Sequence, residues 1–109
     1  GFVNVNGYYY YLESNGVMKG GLKTINGRKY YFDDVTGAMQ YGWIDLNIDG
    51  EAVTVFAQND GSLAISTVLT IGTDNYAFDS KGYLVRDGEL KVGNTKYVTD
   101  KNGIATQVR

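Results

Sequence analysis

Short runs of β-branched and aromatic residues alternate with small polar clusters along the whole chain, and no stretch repeats apolar residues at the i, i+3, i+4, i+7 spacing of an amphipathic helix. Inside the runs the period is two. Around Asn26-Gly27, a two-residue loop would put Lys23, Ile25, Tyr30 and Phe32 on one face of a hairpin and Leu22, Thr24, Lys29 and Tyr31 on the other. Asn-Gly suits that loop because both central residues of a type I′ turn need positive φ. Asn-Gly or Asp-Gly occurs at 6–7, 15–16, 26–27, 49–50, 60–61, 87–88 and 102–103, in a chain with 15 glycines. The pattern predicts at least four hairpins in series and no helix longer than one turn.

The hairpins repeat. Gly1 to Gly20 and Gly21 to Gln40 are near copies, and three weaker copies follow, dividing the chain into repeats 1–20, 21–41, 42–66, 67–87 and 88–109. Repeat three is the most divergent and longer by a few residues, so the regular stacking is expected to be interrupted there. A unit of about twenty residues cannot bury its apolar face alone, so the prediction is one all-β domain, a β-solenoid of about five stacked hairpins stabilised by neighbours. The set Lys23, Ile25, Tyr30 and Phe32 recurs as Val5/Tyr10/Leu12, Ile71/Tyr76/Phe78 and Val92/Tyr97/Thr99, which marks it as the stacking core. The other face varies: it carries Phe2, Tyr9 and Tyr11, then Leu22, Lys29 and Tyr31, then Trp43, and loses its aromatics in repeats four and five. A repeat that keeps the core set and loses the outer aromatics is expected to fold without binding.

Composition narrows the chemistry. The 109 residues contain no His and no Cys, which removes the commonest general base, the thiol nucleophile and any disulfide framework. Asp33 and Asp34 are adjacent on an extended segment and point to opposite faces, so they cannot flank one scissile bond. The chain reads as non-catalytic, with no cofactor. Asp45, Asn47, Asp49 and Gly50 match the opening of an EF-hand loop, but Phe56 stands where the bidentate Glu belongs, so an Asp-Gly hairpin turn is favoured over calcium and no metal site is assigned. A net charge of −2 with scattered Lys and Arg argues against nucleic acid, and no segment approaches the ~20 apolar residues of a membrane span. The chain begins in repeat phase without Met and reads as a piece of a longer protein.

The pattern G-[aromatic/apolar]-x-x-[V/I]-N-G-x-x-Y-Y-[F/L]-x(3,4)-G-x-M, complete in Gly1 to Met18 and Gly21 to Met39, resembles the cell-wall-binding or choline-binding repeat superfamily, which includes streptococcal glucan-binding repeats and clostridial toxin C-terminal repeats. The resemblance implies a secreted, wall-associated protein of a Gram-positive bacterium that attaches to a wall polymer or glycan through sites between consecutive hairpins. It places one aromatic cage at Tyr9, Tyr11, Met18 and Leu22 and a second at Lys29, Tyr31, Met39 and Trp43. Lys29 disfavours a cationic ligand in the second cage, whereas stacking of a sugar on Tyr31 or Trp43 tolerates the substitution. The junction of repeats two and three, with Tyr31, Trp43 and Met39, is therefore the expected ligand seat, and an anionic polymer is expected to be preferred there over choline. The alternative reading is a structural spacer or self-association module with no small ligand.

Overall fold

The computed structural model describes every residue except 18, 19 and 109, so Met18 of the first cage lies outside the described residues. Among those described there is no helix. Of their eleven strands, ten form five antiparallel hairpins: β1 (Phe2–Val5) with β2 (Tyr8–Tyr11), β3 (Gly21–Ile25) with β4 (Arg28–Phe32), β5 (Gly42–Ile48) with β6 (Glu51–Ala57), β7 (Thr67–Ile71) with β8 (Asp74–Phe78), and β9 (Glu89–Val92) with β10 (Thr95–Thr99). The eleventh strand, β11 (Ala105–Val108), pairs with β10 to make the last sheet three-stranded.

Turn chemistry sets the hairpin positions. Asn6-Gly7, Asn26-Gly27 and Asp49-Gly50 are two-residue loops with positive φ at both central residues. Hairpins four and five close instead through Gly72-Thr73 and Gly93-Asn94, where only the first residue is positive, the II′ arrangement. In β3–β4, Lys23 pairs with Tyr30 and Leu22 with Tyr31, so the two faces are those read from the alternation.

Three of the other four pairs, Asn15-Gly16, Asp60-Gly61 and Asn102-Gly103, serve a different purpose. After each second strand the chain makes a tight turn, closed by Gly16 N–H to Glu13 O, Gly37 to Asp33, Gly61 to Gln58, Gly82 to Asp79 and Gly103 to Asp100. Side-chain carboxylates reinforce it: Asp33 accepts from Val35 and Thr36 N–H, both at 2.8 Å, and Asp100 from Asn102 and Ile104 N–H. Asp33 is thus a turn-closing residue, which also accounts for a carboxyl held below its ordinary value by these backbone donors.

The turn returns the chain to its own hairpin. Met39 bridges Phe32, Leu63 bridges Ala57 and Leu84 bridges Phe78. Each returning residue also donates its N–H to the preceding hairpin: Met39 to Tyr9 O at 2.7 Å, Leu63 to Lys29 O at 2.8 Å and Leu84 to Thr54 O at 2.7 Å. In repeats two, three and four one residue therefore links two hairpins through backbone alone, which is insensitive to side-chain drift between copies.

By contacts the chain forms two compact units, Gly1–Ile44 with Ala57–Leu63, and Asp45–Phe56 with Ala64–Arg109. In the first, Ile25, Phe32 and Met39 form the buried core, with Tyr11 and Tyr30 packed against them. In the second, Phe78, Val55 and Ala77 are fully buried, and the Phe56 and Phe78 rings lie 6.5 Å apart.

Candidate functional site

The first unit holds an aromatic cleft of about 340 Å³ lined by Phe2, Tyr9, Tyr30, Met39, Tyr41 and the turn residues Asn59 and Asp60. Its construction follows from the hairpins. Register places Phe2 opposite Tyr11 and Tyr9 two residues along the same face of β1–β2. That face meets the inner face of β3–β4: the Phe2 ring sits edge-on to Tyr11 at 5.2 Å and to Tyr30 at 5.3 Å, in the geometry aromatic quadrupoles favour. Met39 arrives through the return turn, 6% exposed, and Tyr41 follows it two residues later. Tyr9 remains 42% and Tyr41 48% exposed, so aromatic surface is accessible from solvent.

Electrostatics at the rim come from Asp60. One carboxylate oxygen accepts from Ser62 N–H at 2.8 Å and Ser62 Oγ–H at 2.6 Å, and the other from Arg28 Nη1 at 3.3 Å. The Ser62 bonds, more than Arg28, hold the carboxyl below its ordinary value. Burial, then the neighbouring Tyr9 and Asp60, raises the Tyr41 phenol above its ordinary value. A lowered carboxyl contributes stability above its unfolded-state value and loses that contribution as pH falls through its folded value. We expect Ser62→Ala to raise the Asp60 titration midpoint more than Arg28→Ala does, read by carboxyl NMR. The reverse order would show that Arg28 governs the carboxylate.

The residues singled out in the sequence are divided by the structure. It brings Tyr9 and Met39 into the cleft. Tyr11 instead packs on the Ile25, Phe32 and Met39 core. Tyr31 and Lys29 lie together on the opposite face of β3–β4, paired across to Leu22 and Thr24, where burial first and then Asp34 and Asp33 raise the Tyr31 phenol. Trp43 is 43% exposed on β5. The reason Met39 joins Tyr9 is the return turn, which carries it back past Phe32 to the first hairpin. Tyr30, assigned only to the core, and Phe2 complete the cleft, and Asn59 and Asp60 reach it from a turn whose destination the sequence does not disclose. Asp45, Asn47 and Asp49 lie along β5 and its loop, with Asp45 accepting from Thr54 Oγ1 at 2.7 Å and Asn47 from Gly50 N–H. Among the described residues there is no acidic group arranged to hold a metal ion.

Comparison with known proteins agrees with this architecture. The choline-binding repeat family matches residues 19–67, and the putative cell wall binding repeat family matches residues 1–18. The chain belongs to the choline-binding and cell-wall-binding repeat superfamily. Glucosyltransferase-S of Streptococcus mutans is 36% identical over 93 residues, a match covering 84% of this chain and 6% of that protein. Choline binding protein F of Streptococcus pneumoniae, solved in the presence of a peptidoglycan analogue, superposes with a TM-score of 0.78 at 24% identity, over 96% of this chain and 33% of that one. The multimodular pneumococcal cell wall endolysin from phage Cp-1, complexed with choline, gives 0.70 at 22% identity, over 98% of this chain and 30% of that one. These structures share the fold. The chain therefore spans a small part of the glucosyltransferase and about a third of each of these structures, and the repeats occur in proteins that include enzymes.

Proposed function

We propose that this chain is a non-catalytic binding module of a secreted or surface bacterial protein, a solenoid of stacked hairpins that attaches its parent to a wall polymer or glycan. The observation that carries the proposal is the cleft of the first unit, where Phe2, Tyr9, Tyr30 and Tyr41 surround one concavity with the Asp60 carboxylate at its rim. Electron-rich ring faces attract a quaternary ammonium and also receive the C–H face of a sugar, and a nearby carboxylate favours a cationic or hydroxyl-bearing group over an anion. The preference for anionic polymers drawn from Lys29 does not extend to this cleft, because Lys29 sits on the other face of its hairpin. It remains a proposal for the Tyr31 and Trp43 face alone.

The second unit supports the spacer reading for its own repeats. At the place where Tyr9 and Tyr41 stand around the Met39 link, the second unit has Thr54 and Arg86 around the Leu84 link. There Arg86 Nη2 donates to Thr54 Oγ1 at 2.9 Å, which donates in turn to Asp45. A closed polar relay replaces open rings. At this inter-hairpin position, binding is accordingly assigned to the first unit and spacing to the second.

The test is retention on purified walls, together with choline and dextran titrations followed by NMR. Tyr9→Ala with Tyr41→Ala should lower affinity by about tenfold or more while leaving the thermal transition within a few degrees of the parent, because both side chains are nearly half exposed. Unchanged binding by a folded double variant would refute the assignment. Single-site affinity should be weak, and firm attachment should need several such modules in one protein.

A further inference from the structure

Hairpin three is the longest of the five, with seven residues in each strand against four or five in the others. This is the structural form of the repeat-three insertion. The extra length carries the Asp49-Gly50 tip out alongside the turn of repeat four, and between the two lies a second cavity of about 370 Å³. Both walls belong to the second unit.

Its lining is unlike that of the aromatic cleft. Val53, which is buried, and Ile48 supply apolar surface from the hairpin, and Tyr83 supplies a ring from the turn. The turn is rigidly made, because one Asp79 carboxylate oxygen accepts from both Lys81 and Tyr83 N–H at 2.9 Å. The bonds hold the backbone of the turn from which Lys81 projects, with its Nζ 5.9 Å from the Tyr83 ring centroid. Glu51 completes the wall from the opposite side. The cavity thus combines a ring, a carboxylate acceptor and an ammonium donor within a volume in the range of small-molecule sites, about 300–1,000 Å³.

We infer that this cavity is a second binding site, for a neutral saccharide. A sugar has an apolar C–H face for the Tyr83 ring and vicinal hydroxyls that can donate to Glu51 and accept from Lys81. The mixed charge disfavours the other ligand classes: Glu51 and Asp79 oppose a polyanion, and Lys81 opposes an organic cation in front of the ring. The site owes nothing to the aromatic cleft, since it uses other residues in the other unit.

The experiment is a ¹⁵N–¹H NMR titration of the whole chain with isomaltotriose, chitotriose and xylotriose separately at millimolar concentration. At least one should shift the amides of residues 48–53 and 79–83 in a saturable way. Tyr83→Leu and Glu51→Gln should each weaken that response by about fivefold or more, whereas Tyr9→Ala should leave it unchanged. Glu51 is exposed at a hairpin tip, so its variant tests the site even if Tyr83→Leu unfolds. Absence of shifts in these segments with all three sugars would overturn the inference, as would shifts that survive Glu51→Gln undiminished. The aromatic cleft is read independently in the same spectra, from the amides of Tyr9 and Tyr41.

Discussion

Phe32→Ala should destabilise the first unit by about 3–5 kcal/mol, the largest loss expected of any single truncation there. The ring is 0% exposed and packs with Ile25 and Met39, with Tyr30 at 6.4 Å between centroids. Its backbone also forms the bridge that receives Met39, so a cavity at Phe32 loosens the residue that links the first two hairpins. Tyr30→Ala should cost less, because Tyr30 is only partly buried and borders the open cleft. Tyr8→Ala is the control: its side chain is 60% exposed across from Val5, and the change should stay within about 0.5 kcal/mol. Urea unfolding followed by the fluorescence of the single Trp43 measures all three. Equal midpoints for the Tyr8 and Phe32 variants would mean that the buried and exposed faces of the hairpins have been assigned the wrong way round.

Which residues share a face was legible because period-two alternation and Asn-Gly chemistry are local properties, but which face is buried was not: Val5, expected in the core, is 50% exposed, while Tyr11 and Ala77, expected on the varying face, pack on the first core and are fully buried in the second unit respectively. Lys23, Ile25, Tyr30 and Phe32 share a face whatever the rest of the chain does, once Asn26-Gly27 is a two-residue loop. The loops at Gly72-Thr73 and Gly93-Asn94 were less visible, because a II′ turn asks for positive φ at one residue only and Gly-Thr or Gly-Asn is a weaker signal than Asn-Gly. Conversely, Asn15-Gly16, Asp60-Gly61 and Asn102-Gly103 carry the strong signal but stand at the return turn. Identical dipeptides serve two purposes, and only the strand pairing around them tells which.

The candidate site was legible in its residue types and not in its grouping. Tyr9 and Met39 are 30 positions apart, joined by a single backbone hydrogen bond that no side-chain pattern announces. Sequence alignment of repeats assigns Met39 to the same hairpin as Tyr31, since both belong to repeat two. The return turn keeps Met39 bridged to Phe32 of that hairpin and also bonds its N–H to Tyr9 of the hairpin before. Asp60 is a comparable case, a turn residue of repeat three that pairs with Arg28 of repeat two. Sites formed where one repeat meets another depend on the offset between copies, and that offset is a tertiary quantity.

Gly103→Ala should destabilise the second unit by about 2–4 kcal/mol through two separable causes. Gly103 has φ +82, which an L-residue adopts at a cost of about 1–2 kcal/mol, and a Cβ there would come within 2.6 Å of Leu84 Cδ1 and Cγ. Leu84 cannot easily yield, because its own N–H is held by Thr54 O and its backbone bridges Phe78. Gly27→Ala isolates the first cause: φ is +80 and nothing lies within 4 Å of the added Cβ, so only the backbone cost of about 1–2 kcal/mol applies. The second cause is tested by Leu84→Ala in the Gly103→Ala background, where the two losses should sum to less than their separate values because the smaller side chain relieves the collision. Gly61 repeats the arrangement in the first unit, where a Cβ at φ +87 would run into Met39 Sδ, so Gly61→Ala should lower both stability and binding at the cleft that Met39 lines. Thermal denaturation and wall retention of these variants measure the two effects. Additive losses for Gly103→Ala and Leu84→Ala, or a Gly27 variant as unstable as the Gly103 variant, would show that close packing of each return turn on the preceding repeat does not limit what these positions accept.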